Sequence, residues 1–226
     1  MAAGLQVFND SGFIQIDANY LNMELKQKGN FSLPGAGTGA QKRVDIQYVG
    51  EAPIIAINCT DYCFPFVSGK TGNTTTFSIY NASANNVTGE FYIFDNSDNN
   101  NLSNSGFQVF NEQGRLVFDA GKLYMRVLDN FALDVGSGID KSYPGKKFAV
   151  AMTDYGWRFI VMQTPIDPSS PKRFKQTLID SVRGITNSLR VQEMATYTDA
   201  YADPVANEQS KYEGPSRWLV VDVTNF

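Results

Sequence analysis

The sequence contains no histidine. That absence removes Ser-His-Asp and Cys-His catalysis, imidazole metal ligation and histidine-based pH sensing. Cysteine is nearly absent too: Cys59 and Cys63 are the only two. Their spacing is C-x3-C, not the C-x-x-C of thioredoxin-type redox motifs. A zinc site would need two further ligands, and neither histidine nor a third cysteine supplies them. On an extended strand the two residues would share a face about 13 Å apart. A disulfide could not span that distance without a turn between them. The expectation is a pair of reduced, structural thiols.

Long apolar runs are missing as well. None approaches the roughly 18 residues of a membrane-spanning helix. The opening MAAGLQVFNDSG has neither a basic n-region nor a long apolar stretch, so no secretory signal is expected, and folding in a cytoplasm is. There is no basic excess: the net charge is −4. Phosphate neutralisation supplies most nucleic-acid affinity, so that class of partner is not expected. What remains is ordinary for a folded chain, with 42% apolar and 19% charged residues among 226. That length suits one large domain or two small ones.

The informative feature is a repeat. Residues 4–25 read GLQVFNDSGFIQIDANYLNMEL, and residues 106–127 read GFQVFNEQGRLVFDAGKLYMRV. Gly4, Gln6, Val7, Phe8, Asn9, Gly12, Asp17, Ala18, Leu21 and Met23 meet identical residues 102 positions later. Weaker matches continue in the same order. PGAGTG (34–39) faces VGSGID (135–140), AINCTDY (56–62) faces AVAMTDY (149–155), and FYIFDNSDN (91–99) faces WLVVDVTNF (218–226). The offsets differ, so loops differ and the second copy carries an insertion at about 166–212. The expected organisation is a tandem duplication, 1–102 and 103–226, joined through the polar run NSDNNNLSNS.

Each copy reads as β-structure. GLQVFNDSGFIQID alternates apolar and polar residues around an Asn-Asp-Ser-Gly turn, which predicts a hairpin with Gly12 at positive φ. Gly114 predicts the same in copy two. RVDIQYVG, PIIAINC, KFAVAMTD, WRFIVMQTP and RWLVVDVTN read as strands. TTTFSIYNA and GEFYIFD read as a hairpin. Many short strands with Gly and Asn punctuation predict an all-β chain of two tandem, related β-sandwich units. The stretch 172–191 is open between a short helix, with apolar residues at three- and four-residue spacing, and a strand pair QTLIDSVRG and SLRVQEMATY.

Several motifs fail on inspection. GAGTGA (35–40) precedes a strand-like run, not the helix a dinucleotide loop requires. SGKTG (68–72) lacks the earlier glycine of a phosphate loop, since position 64 is Phe64. DNSDNNN (95–101) has Asn100 where a calcium loop needs glycine, and Gly106 where it needs glutamate. No cofactor, metal or catalytic residue is therefore expected. Asp61 and Asp154, at matched TDY positions, read as turn caps, with a carboxylate enzyme as the rival.

The stretch GLQVFND with Gly12 and Asp17, repeated from Gly106 to Asp119, resembles the opening of small tail-associated virion proteins of tailed bacteriophages. That resemblance covers about 22 residues per copy. It implies a structural component of the virion, assembled in the host cytoplasm, and no enzyme. It also implies other virion proteins as partners and a symmetric oligomer in the particle. The candidate interface comprises Phe8, Asn9, Phe110 and Asn111 at the hairpins, and Lys172, Arg173, Lys175, Arg183 and Arg190 in the basic insertion. Two alternatives stand beside it. One is a host-surface receptor or glycan binder reading through Trp157, Trp218 and Tyr201; the other is a head-decorating or head-tail connector protein.

Overall fold

A computed structural model describes residues 6–8, 10, 12, 14–17, 21–35, 42–104, 106–134, 136–163, 173–185, 187–201 and 211–226. The first repeat supplies β1 (Gln6–Phe8), β2 (Ile14–Asp17), β3 (Met23–Leu33), β4 (Lys42–Val49), β5 (Ile54–Cys59), β6 (Cys63–Thr71), β7 (Thr74–Asn81) and β8 (Val87–Asn96). The second supplies β9 (Gln108–Phe110), β10 (Leu116–Asp119), β11 (Arg126–Leu133), β12 (Gly138–Ser142), β13 (Phe148–Asp154), β14 (Trp157–Gln163), β15 (Arg173–Ile185), β16 (Ser188–Tyr201), β17 (Lys211–Glu213) and β18 (Ser216–Asp222). The described residues contain no helix, and the chain is all-β.

Two antiparallel sheets form the body. The first has six strands in the order β11-β18-β13-β5-β8-β3. The second runs β12-β16-β15-β6-β7-β4, with β14 attached beside β15 and β17 beside β14. Each order reads the same from either edge once β3, β8 and β5 are matched to β11, β18 and β13, and β4, β7 and β6 to β12, β16 and β15. The two related units thus lie edge to edge, each contributing three strands to either order, with β14 and β17 added by the second repeat. The duplication is visible in the hydrogen-bond register. Leu25 pairs with Phe94 and the ladder then slips past Lys26, so that Gln27 meets Ile93. In the second repeat Val127 pairs with Val221, the ladder slips past Leu128, and Asp129 meets Val220. Bulge and register are the same in both copies. The match loosens at the join, where Ala56 pairs with Tyr92 but Ala149 pairs with Val221. β13 has slid by two residues, a step that keeps each side chain on its original face.

Between the sheets lies one core drawn from both repeats, including Ile57, Phe77, Ile79, Ile93, Phe148, Val150, Val182, Leu189, Trp218 and Val220. The continuous apolar run of β5 has a reason: this sheet is buried on both faces. Leu25 N donates to the Leu123 carbonyl at 2.7 Å and Met125 N to the Met23 carbonyl at 2.8 Å. These bonds join the start of β3 to the residues preceding β11, at the opposite edge, so the six-stranded sheet curls until its corners meet. Inside the curl sit Ala56, Tyr92, Phe94, Ala149, Ala151 and Val221, all buried. Alanine at three of these positions lets a tightly curved sheet close. On β3 and β8, Gly29 pairs with Phe91 and Gly89 with Phe31. Each glycine seats the opposite ring, and a Cβ on Gly89 would lie 2.4 Å from the Asn58 carbonyl oxygen.

Two sequence expectations are corrected. Residues 173–185 and 188–201 are a long β15–β16 hairpin, so the helix reading fails and the strand-pair reading holds. Ile185 pairs with Ser188 around a two-residue turn in which Asn187 has φ 61°. Asn tolerates that left-handed geometry, and its Val182, Leu189 and Val191 neighbours are rigid or bulky enough to fill a sheet face. The proposed β7–β8 hairpin does not exist. β7 pairs with β4 and β6, while β8 pairs with β3 and β5, so the loop between them crosses from one sheet to the other.

Candidate functional site

The duplicated hairpins stand apart from both sheets as separate two-stranded units. Gly12 has φ 80° and Gly114 φ 73°, the left-handed conformation both turns require. Their registers agree. Gln6 lies opposite Asp17 and Gln108 opposite Asp119. Val7 opposes Ile16 and Phe8 opposes Ile14; Val109 opposes Phe118 and Phe110 opposes Leu116. Both therefore skip one residue in the same place.

In the second hairpin the paired glutamine and aspartate form a buried lock. Asp119 is fully enclosed. It accepts from Ser103 N (2.8 Å), Gly121 N (2.9 Å) and Gln108 Nε2 (3.0 Å), and from the Ser103 hydroxyl. Burial alone would raise its pKa, but these donors outweigh it and hold the carboxyl down at about 2. The Asp119 N–H donates to the Tyr124 hydroxyl at 2.8 Å. At the tip, Asn111 Oδ1 accepts from the Gln113 and Arg115 N–H groups at 3.1 and 2.9 Å. The hairpin is also tied to the first repeat. Asn99 Oδ1 accepts from Leu116 N at 2.6 Å, and Arg115 reaches Glu51 and the Ser97 carbonyl.

A rigid hairpin so anchored still leaves large apolar groups in water. Phe107 is 57% exposed and Phe110 43%; in the first hairpin Phe8 is 54% exposed and Val7 37%. Phe8 and Phe110 are repeat counterparts, so the same aromatic is presented twice.

The remaining candidate residues divide. Asn111 is half-buried and works in its own turn. Asn9 and Lys172 lie outside the described residues. Arg173 and Lys175 fall in β15 opposite Tyr201 and Asp199. Arg183 and Arg190 oppose each other across β15 and β16. Each has a partner: Arg183 sits 5.1 Å from the centre of the Tyr62 ring, and exposed Arg190 lies 3.6 Å from Asp140. Trp218 is 1% exposed in the core and cannot read a surface ligand, which corrects its proposed role. Trp157 and Tyr201 are placed in β14 and β16 by their backbones. Asp61 caps its own turn, accepting from Tyr62 N, the Ser83 hydroxyl and Asn85 Nδ2. Burial opposes its ionisation, but these bonds prevail and lower its pKa. Asp154 ends β13 opposite Arg217. The carboxylates of DNSDNNN are engaged as well: Asp95 caps Glu51 N and Ala52 N, and Asp98 takes Asn100 N and Lys26 Nζ.

Three features escaped the sequence reading. One is a stack of Phe64, Tyr80 and Phe66, with centroids 5.1 and 5.4 Å apart and Arg43 against Tyr80. Alternation in CFPF was its only signal. The second is a buried chain in which Trp218 Nε1 donates to Ser216 Oγ, and Ser216 Oγ to Asp180 Oδ2 at 2.6 Å. The third is a recess over β3, β5 and β8, lined by Asn30, Ser32, Asn58, Thr60, Thr88 and Glu90 together with Phe31 and Gly89. Comparison with known proteins finds no matching family model, no matching curated protein and no matching solved structure.

Proposed function

We propose that this chain is a non-enzymatic structural component of a tailed-phage virion, part of the tail, acting by protein-protein docking. The observation that carries the reading is the twice-built hairpin, whose Phe8 and Phe110 face outward and whose second copy is locked by the buried Asp119. Exposed aromatics on a rigid support are what a docking surface uses, because little conformational freedom is lost on contact. The near two-fold arrangement of the repeats offers neighbours two related patches from one chain, which suits a symmetric assembly. The similarity of GLQVFND and GFQVFNE to tail-associated virion proteins agrees with this.

The test is incorporation. Particles of the encoding phage, purified by density gradient, are expected to contain the chain at fixed stoichiometry. Phe8→Ser with Phe110→Ser is expected to leave the isolated protein folded and remove it from the particles. A chain absent from wild-type particles, or one retained by the double variant, would overturn the reading.

A further inference from the structure

The concave face of the six-stranded sheet changes character along its length. Its closed end is filled by Phe94, Ala149 and Val221. Its open end carries two adjoining recesses of 520 and 240 Å³, which share Asn30 and Glu90. Alternate positions on a strand point the same way, and here they deliver Asn30 and Ser32 from β3, Thr88 and Glu90 from β8, and Asn58 and Thr60 at the end of β5. Glu90 is held in place: Lys147 Nζ lies 2.6 Å from Oε2, and the Tyr92 hydroxyl donates to it at 3.0 Å. Asn30 and Ser32 are exposed, and among the described residues neither side chain has a hydrogen-bond partner.

The shared fold does not require this lining. In the second repeat the register counterparts of Asn30, Ser32, Thr88 and Glu90 are Ala132, Asp134, Pro215 and Arg217. The scaffold is common to both copies, but this set of amide and hydroxyl side chains belongs to one.

We propose that this groove binds a saccharide chain. Amide and hydroxyl groups each donate and accept, which is also the character of a sugar hydroxyl. The groove's volume falls within the range of small-ligand sites, about 300–1,000 Å³. Its charge is nearly balanced, Lys28 being the one charge added to the Glu90–Lys147 pair among the described lining residues, so it lacks the cationic excess a nucleic acid requires. An extended peptide would pair with the backbone edge of β3 and not lie across these side chains.

The experiment titrates the full-length protein with maltohexaose, cellohexaose, chitohexaose and hexagalacturonate, following backbone amide shifts by NMR. At least one is expected to move amides within 28–32, 58–60 and 88–90. Asn30→Ala with Ser32→Ala should weaken that binding by about tenfold or more at unchanged melting temperature, since both side chains are exposed. No shifts with any of the four at about 10 mM, shifts confined to other surfaces, or full binding by the double variant would each overturn the proposal. It stands apart from the docking reading: Phe8→Ser with Phe110→Ser should leave saccharide binding intact.

Discussion

Ile57 lies directly opposite Val150 where β5 meets β13. The two are counterparts in the repeated AINCTDY and AVAMTDY segments, so the chain joins its halves by pairing a residue with its own duplicate. Each is buried, at 0% and 1% exposure. An antiparallel strand pair has a local two-fold axis, and a duplicated unit meeting itself across one generates the palindromic strand order of both sheets.

The first prediction concerns that join. Separated, residues 1–102 and 103–226 would each expose an unpaired β5 or β13 edge and half of a shared core. Neither fragment is expected to unfold cooperatively alone, and a mixture is expected to regain the intact thermal transition. Circular dichroism melts of each fragment and of the mixture check this. In the intact chain, Ile57→Ala should cost about 2–4 kcal/mol in urea unfolding.

A second prediction separates two kinds of glycine. Nothing lies within 4 Å of a Cβ placed on Gly114, so Gly114→Ala pays only for positive φ, about 1 kcal/mol. Gly89→Ala meets the Asn58 carbonyl and the Phe31 ring, so it is expected to be much worse, with a loss of folded yield. Chemical denaturation of the two variants orders them.

Asp180 gives a third. It is 3% exposed, and burial, assisted by nearby Glu193, pushes its pKa up to about 6 against the Ser216 hydrogen bond. A raised carboxyl pKa means the folded state holds the proton more tightly than the unfolded state does. Its contribution is therefore fully favourable below the unfolded value near 4 and is lost as pH rises through about 6. Asp180→Asn, which keeps an acceptor for Ser216, should flatten the pH 4–7 part of the stability profile and raise stability at pH 7 by on the order of 2–3 kcal/mol.

The Asp119 lock makes the opposite prediction. Its carboxyl is held down at about 2, so its stabilisation is present above the unfolded value and lost as pH falls through about 2. Asp119→Ala leaves the Ser103 and Gly121 N–H groups without their acceptor, at about 1–3 kcal/mol for each one buried. Accelerated amide exchange across 103–121 would register the loosened hairpin.

A fifth prediction concerns the cysteines. Both are buried; the hydrogen bond between the Cys63 thiol and Cys59, which favours the protonated thiol, and then burial push Cys63 well above its usual range. Neither should react with Ellman's reagent at pH 8 until denaturant is added, which a spectrophotometric trace decides.

Much was legible in the sequence because it is local. Alternating apolar residues in 43–50 and 53–59 mark strands whatever surrounds them, and a glycine after Asn-Asp-Ser marks a turn by its own φ. The duplication could be read from identities alone, down to the Gln6–Asp17 and Gln108–Asp119 pairs that the registers place opposite each other. The 172–191 stretch stayed ambiguous because its Leu178, Val182, Ile185 and Leu189 satisfy a helical stripe as well as a two-strand turn. Only the core facing Val182, Leu189 and Val191 selects the strands. The groove was invisible for a related reason: Asn30, Asn58 and Glu90 are far apart along the chain and ordinary one by one.

By itself, then, the sequence determined that the chain is built of strands, that it contains one hairpin-led module twice, and that histidine chemistry is excluded. Only the tertiary structure decided that the two modules share their sheets, that the six-stranded sheet curls until Met23 and Met125 bond, and that Trp218 is core while Phe8 and Phe110 are surface. The division follows from range. Turn and strand preferences act over a few residues, whereas burial and strand order come from contacts between segments that the sequence does not place side by side.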